Sequence, residues 1–538
     1  MSLSDEPAIV ADAPRGSVSI ENTTSPRLSR RAMLTTLLLG VLATPGFLPA
    51  DLWHASLALL ASLLPILSLT VMALLWQRYA ALPRQAFKLG FIYGLGFFGA
   101  GVYWIIIAMT TFGGMAGILA LIAMLVLVSY LSLYPALVGY ALIRLFKRQY
   151  CLWALPALWG LSELARAWFL DGFPWLSLGY AQALPSPLAG LTPVGGVYLT
   201  SVASVLLSVC LAFIMQKRWR VFSAALAMAI LVGGWLLTHA SWTHVVEEPL
   251  PVSLIQGNIA QDIKFDPEFR AETYARYRRL AEQSKGRLVV LPESAFPDFA
   301  DKVPDEEVIA YQEMGRARDG DFLIGMFTRR LNPDKARDDY FNSVVSLGDA
   351  PTQLYRKRHL VLFGEKIPFE SVIAPIMHAL ISIPIAGQSS GTEDQPPFAV
   401  AGQQVAVSIC FEDVFGAEQR ERVRNSTLLV NFTNDAWYGH SIATWQHHRI
   451  ASIRALESGR AMLRVTNTGV TSLIDYQGRT AERLPWFEEA VLETETQGRS
   501  GNTPYLRWGD WFVFGLIILL LLTVALVQRK NFSESRNQ

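Results

Sequence analysis

The sequence predicts a multi-span α-helical membrane domain, with eight transmembrane helices, joined to one water-soluble α/β domain. Three observations lead there. Hydrophobic residues make up 51% of the chain, charged ones only 17%, and mean hydropathy is positive at +0.29, which is too apolar for a wholly soluble globule. The acids are unevenly placed. Between Ala32 and His244 they are limited to Asp51, Glu163 and Asp171, whereas most of the remaining Asp and Glu fall between Val245 and Gly509. Apolar stretches long enough to cross roughly 30 Å of hydrocarbon, about 20 residues each, recur in the acid-poor part and once more near the end.

Taken in order, the predicted spans lie near residues 33–49, 53–76, 88–111, 115–143, 152–169, 191–215 and 221–240, with the eighth at 511–527. The first is short and contains Pro45 and Gly46; the fourth is long enough to tilt, or to kink at Pro135. Basic clusters flank them: Arg27, Arg30 and Arg31; Arg78, Arg84 and Lys88; Arg144, Lys147 and Arg148; Lys217, Arg218 and Arg220; Arg529 and Lys530. With eight spans all five fall on one side, which the positive-inside rule makes cytoplasmic. The expected organisation is then a disordered cytoplasmic tail at 1–31, a membrane domain with seven helices at 32–244, a periplasmic catalytic domain at 245–509, the eighth helix at 510–528 and a second cytoplasmic tail at 529–538. The tail is rich in Ser, Pro, Asp and Glu and has no apolar face. The apolar run after Arg31 has the basic flank of a secretory signal, but the next span follows within a few residues, which favours a retained hairpin.

Strands and helices alternate in the outward region. Residues 251–256, 288–291, 321–328, 342–347, 428–432 and 463–466 read as strands; 267–283, with Tyr274, Tyr277 and Leu280 on one side, and 445–460 read as helices. A turn at Tyr476-Gln477-Gly478 closes a late hairpin. Three short runs end on reactive residues: Leu288–Pro292 leads to Glu293, Thr352–Arg356 to Lys357 and Val405–Ile409 to Cys410. Cys151 and Cys210 sit in predicted spans, so Cys410 has no disulfide partner in its own domain.

These residue types suit acyl chemistry. Cysteine attacks as thiolate, and an ordinary thiol pKa near 8.5 calls for a neighbouring base. Glu293 is the candidate base, given burial that raises its pKa. Lys357 supplies fixed positive charge where a tetrahedral oxyanion develops, and the Phe411 backbone N–H is a candidate second donor. Each has a bland rival: an inert core thiol, a solvated lysine, and surface charges at Glu365 and Glu412. Asn434, Asp435 and Trp437 read as wall beside the nucleophile. His440, His447 and His448 form no recognisable zinc spacing, so neither metal nor cofactor is expected. Glu163 and Arg166 are expected to pair near a span end. The apolar segment 367–387 reads either as an arm over the site or as a buried helix.

The motifs Leu291-Pro292-Glu293-Ser294, Tyr355-Arg356-Lys357-Arg358-His359-Leu360, Ser408-Ile409-Cys410-Phe411-Glu412 and Asn431-Phe432-Thr433-Asn434-Asp435-Ala436-Trp437-Tyr438-Gly439 resemble the nitrilase (carbon–nitrogen hydrolase) superfamily. With the membrane flanks, and with Phe173-Pro174-Trp175-Leu176, Gly179-Tyr180 and Gln256-Gly257-Asn258-Ile259, the resemblance narrows to the apolipoprotein N-acyltransferase family. It implies an αββα sandwich for the soluble domain and a Glu293-Lys357-Cys410 triad. It also implies supporting roles for Glu365, Glu412 and Phe411, and substrate contacts at Phe265, Asn434 and Trp437. Phe265 stands where the family commonly has Trp, Phe411 where it has Tyr, and Leu362 where Pro is usual. The implied reaction is a ping-pong transfer of a fatty acyl chain from a phospholipid, preferentially phosphatidylethanolamine, to Cys410 and then to the α-amine of a diacylglyceryl-cysteine on an apolipoprotein. The implied setting is the bacterial inner membrane, with no nucleic acid partner. A membrane-tethered amidase shares the triad but gives no reason for eight spans, and an inactive transporter or scaffold gives none for an intact triad.

Overall fold

The structure, a computed structural model, describes residues 28–49, 52, 55–79, 82–148, 150–246, 248–331, 338–367 and 387–534. Most of the expected N-terminal tail, the bulk of the 367–387 segment and the last four residues of the C-terminal tail lie outside the described residues. A helix stands at each predicted span: α1 (Arg30–Leu42), α2 (Ala55–Arg78), α3 (Pro83–Gly101), α4 (Gly117–Leu145), α5 (Cys151–Trp168), α6 (Thr192–Met215), α7 (Arg220–Leu237) and, after the α/β region, α12 (Asp510–Glu534). Among the described residues five of these are long and apolar enough to cross a membrane. A sixth qualifies if α3 is taken together with Ile105–Phe112, from which it is bent by 58°. Length and composition alone therefore do not carry the count to eight. At 13 residues α1 spans about 20 Å, and α5 holds Glu163 and Arg166.

Small residues on α3 let it sit between two neighbours. A Cβ added at Gly96 would lie 2.2 Å from the Leu37 carbonyl oxygen of α1, and one at Gly90 would lie 2.3 Å from that of Pro135 in α4. Without a hydrophobic drive between helices in lipid, such backbone approach is what packing depends on. Glu163 and Arg166 do not form the expected ion pair. Glu163 accepts from Trp159 Nε1 and Leu178 N, both at 2.9 Å. Arg166 donates to the carbonyls of Phe173 (2.7 Å) and Trp175 and to Ser177 Oγ at 3.1 Å. Both charges thus fold the loop after α5 back onto the helix end.

In the α/β region the strands are β1 (Leu250–Gln256), β2 (Leu288–Val290), β3 (Asp321–Arg330), β4 (Asp339–Gly348), β5 (Leu354–Arg356), β6 (Phe398–Val400), β7 (Gln403–Ile409), β8 (Leu428–Thr433), β9 (Met462–Thr466), β10 (Ser472–Ile474), β11 (Thr480–Arg483) and β12 (Ala490–Thr496). They form two six-stranded sheets, ordered β12-β1-β2-β3-β4-β5 and β11-β10-β9-β8-β7-β6. Each has three parallel strands, β1 to β3 and β7 to β9, flanked by antiparallel ones.

Side-chain alternation sorts the region into layers. Val252, Leu254, Leu288, Val290 and Leu323 of one sheet meet Val405, Val407, Ile409, Val430 and Val465 of the other in a shared core. The intervening Ile255, Val289, Phe322 and Ile324 face Tyr274, Tyr277 and Leu280 of α8 (Arg270–Gln283) and Tyr311 of α9 (Asp305–Arg316). On the far side Ala406, Leu429 and Met462 meet Val423 of α10 (Gly416–Arg424) and Ala451 and Ala455 of α11 (Ala443–Ser458). The result is the expected αββα sandwich.

Candidate active site

Both sheets send the carboxyl ends of their parallel strands to the same place, where open α/β sheets ordinarily present functional groups. Glu293 follows β2, and Cys410 follows β7 at the head of a 3₁₀ turn, Cys410–Val414. Cys410 is buried and has φ +50°, a conformation that non-glycine residues adopt only when their surroundings impose it. Glu412 does much of the imposing. Its carboxylate accepts from the backbone N–H of Ile409 (2.7 Å), Arg358 (2.7 Å) and His359 (3.2 Å) and from the Tyr355 hydroxyl (2.9 Å). It thereby ties the cysteine turn to the chain that follows β5. From beneath, Asn431 Nδ2 donates to the Cys410 carbonyl at 3.2 Å, and His447 Nε2 lies 3.3 Å from the same oxygen.

Lys357 continues the pairing of β5 with β4 through its N–H to the Asn342 carbonyl, 2.8 Å. Its fully buried ammonium sits 2.7 Å from Glu365 and 3.9 Å from Glu293. Asn342 Nδ2 donates to Glu293 Oε1 at 2.7 Å, and Lys264 Nζ donates to the Glu293 main-chain oxygen at 2.9 Å. Burial pushes the Glu293 carboxyl above the usual carboxylate range, with Lys357 opposing and Glu365 reinforcing the rise. Burial likewise drives the Cys410 thiol well up; Glu293 adds to this and Lys357 works against it. For Lys357 burial pulls down, but Glu365 and Glu293 outweigh it and hold the ammonium above its ordinary value. Lys264 is lowered to about 8 by burial, against the pull of Glu293 and Cys410. A thiol, a proton-hungry carboxylate and a permanent cation thus share one dry space, the combination that nucleophilic acyl transfer uses.

Residues 39–210 match the family described as apolipoprotein N-acyltransferase N-terminal domain, and residues 251–505 match carbon-nitrogen hydrolase. The chain is 44% identical to the apolipoprotein N-acyltransferase of Nitrosomonas europaea over 92% of its own length and 97% of that protein's. It is 36% identical to the protein of that name from Methylococcus capsulatus (94% and 98% covered) and 35% identical to that of Vibrio cholerae (90% and 95%). The chain belongs to the apolipoprotein N-acyltransferase family.

Part of this family member's site wall comes from its helical region. Phe411 stacks on Trp175 of the Phe-Pro-Trp-Leu loop, ring centroids 6.2 Å apart, and packs edge-on against Phe415 at 5.3 Å. Gln446 of α11 accepts from the indoles of Trp175 (2.8 Å) and Trp104 (3.1 Å) and donates to the Gly101 carbonyl (3.1 Å) at the bend after α3. Trp437 meets Phe112 edge-on at 6.0 Å, and Tyr180 donates to the Val414 carbonyl at 3.2 Å.

Asn434 binds Gln261 (2.7 Å) and Asn467 (3.1 Å), holding the loop after β1. Phe265 packs beside Phe327 at 6.1 Å. Glu365 and Glu412 are buried, not surface charges. The histidines disperse: His440 stacks on Phe487, His448 bonds Ser472, and His447 lies between Asp413 and Asp435, 3.0 Å from each. Arg464 closes that cluster at 3.0 Å from Asp435 and 3.6 Å from Asp413. Sequence reasoning did not reach Lys264, Asn342, Asp413 or Arg464. An asparagine inside a strand was a usable signal, since strands disfavour it; Lys264, in a polar loop, carried none.

Proposed function

We propose that this chain is an N-acyltransferase of the bacterial inner membrane that completes lipoprotein maturation. It takes a fatty acyl chain from a phospholipid, preferentially phosphatidylethanolamine, and delivers it to the α-amino group of an apolipoprotein's N-terminal diacylglyceryl-cysteine. In this reading all eight apolar helices cross the bilayer, both termini are cytoplasmic, and residues 245–509 face the periplasm, because that arrangement gathers every basic flank on one side.

Glu293 accepts the Sγ proton of Cys410 as sulfur attacks the ester carbonyl carbon. Lys357 and the Phe411 N–H, in the first turn where a helix leaves its donors without partners, hold the oxyanion. Collapse breaks the ester C–O bond; the departing alkoxide takes the proton from Glu293 and leaves as lysophospholipid. The α-amine, with an ordinary pKa of about 7.7–8.0, then attacks the thioester. Glu293 accepts its proton, the C–S bond breaks, and proton return to sulfur restores the thiol beside a new amide. The scheme calls for no cofactor.

The observation that carries this reading is a buried cysteine on a left-handed turn, coupled electrostatically to a Glu293–Lys357 pair 3.9 Å apart, in a chain of this family. Incubation with phosphatidylethanolamine followed by intact-protein mass spectrometry tests it. One acyl increment on Cys410 is expected, stable until a diacylglyceryl lipopeptide is added and then transferred to it. Loss of the acyl group to water without acceptor marks a hydrolase and defeats the transferase reading.

A further inference from the structure

Opposite the candidate active site the helical region has a cavity of about 890 Å³, lined by Leu74, Gln77, Arg78, Lys147, Arg148, Gln216 and Arg218. Its position follows from the contacts on each helix. The ends of α2, α3, α5 and α6 that meet the sandwich are marked by Leu48, Gly101, Trp175 and Val197, which bond Arg449, Gln446 and Glu457. The cavity gathers the opposite ends of α2 and α6, together with the residues just past α4. Gln77 Nε2 reaches the Arg148 carbonyl at 3.5 Å and Gln77 also bonds Gln216, while Gln528 of α12 accepts from the Lys147 N–H at 2.8 Å.

Among the described residues four cationic side chains line this space and no carboxylate does. The carboxyl ends of α2, α4 and α6 bring roughly half a negative charge each, but the amino ends of α3, α5 and α7 lie at the same level and offset them. Arg78, Arg148 and Arg218 therefore set the local field. Two buried or bordering carboxamides add neutral hydrogen-bonding groups, the mixture that suits a phosphodiester. Beside the cations runs a second, independent feature: Leu145, Met215, Trp219, Val221 and Phe222 are large apolar side chains left exposed, between 40% and 77%. A free phosphate has no use for that rim, whereas the acyl chains of a lipid do.

We propose that this cavity binds the phosphate of an anionic phospholipid in the leaflet opposite the sandwich, with its chains laid along the exposed apolar rim. It is a lipid site separate from Cys410, and its occupant is held rather than consumed. The test uses the full-length protein in phosphatidylcholine nanodiscs and native mass spectrometry with a dialkyl-ether phosphatidylglycerol, which has no ester for Cys410 to attack. The expected result is retention of one such lipid in preference to dialkyl phosphatidylcholine. Arg78→Gln/Arg148→Gln/Arg218→Gln should weaken it about a hundredfold, at about fivefold per cation, while acyl transfer at Cys410 persists. Should that variant misfold, the exposed Arg148→Gln alone should give the fivefold loss. Equal retention by wild type and charge variants overturns the proposal, and so does orthophosphate displacing the lipid at matched concentration, which would mark a simple phosphate site.

Discussion

Two buried charge clusters flank Cys410, and they are built to opposite ends. Beneath the turn, Asp413, His447, Asp435 and Arg464 alternate in sign. There His447 and Arg464 more than offset what burial does to Asp435, so its carboxyl is held below the usual range. For His447 burial and Arg464 pull down, but Asp413 and Asp435 together outweigh them, and the imidazole is raised to about 9. Above the turn, Glu293 and Glu365 both face the Lys357 ammonium, which sits nearer Glu365, 2.7 Å against 3.9 Å, while the Lys264 ammonium bonds only the Glu293 main-chain oxygen. Burial therefore wins at Glu293 and its pKa rises. A charge-balanced cluster braces the backbone; one whose nearest ammonium is turned toward another carboxylate leaves a carboxyl with a raised pKa, the state the proposed base needs. The difference separates scaffold from chemistry more sharply than residue type does.

The comparison breaks first at the thiol. Cys410→Ala should abolish acyl transfer, a loss on the order of 10⁴-fold or more, without altering the thermal transition; residual transfer above that level would end the covalent mechanism. Glu293→Gln should slow acyl-enzyme formation on the order of 10³-fold. In the wild type that rate should climb with pH through a range above the ordinary carboxylate value of about 4.3, because the raised pKa delays ionisation; rapid-quench mass spectrometry reads both. An undiminished increment on Cys410 in the glutamine variant would remove Glu293 as base.

Glu412→Ala strips the acceptor from three backbone N–H groups and a tyrosine hydroxyl, and should cost about 3 kcal/mol or more of stability. Unfolding should show a lowered transition together with lost activity, whereas a stable but inactive protein would assign Glu412 to the chemistry. The smallest effect concerns His447. Its folded-state pKa is raised, so the stability it contributes is complete below pH 6.5 and is lost as pH climbs toward 9. Thermal melts of wild type should fall across that interval more than those of His447→Gln; parallel curves would show that the imidazole is not charged in the folded state.

Central strands were legible because both of their faces are buried: β1, β2, β8 and β9 were each read to within two residues. Edge strands were not. In β12 Glu493 and Glu495 interrupt the apolar pattern, as befits a strand with one free side, and β6 spans only three residues. Cys410, Lys357 and Glu293 stood out as polar residues closing apolar runs. Lys264 was hidden because burial of its ammonium depends on Glu293, 29 positions away, which no local pattern displays.

Gln446 spends its side chain on Trp104, Trp175 and Gly101, and its neighbour His447 touches the Cys410 carbonyl. The cysteine turn and the roof that the helical region lays over it thus share a keystone. Severed from its helices, the sandwich would expose indole and carboxamide groups that now satisfy one another, one residue from the clamp that sets the sulfur's posture. Anchorage here is part of the machine tool, and a free-swimming fragment would be expected to hold its blade out of true.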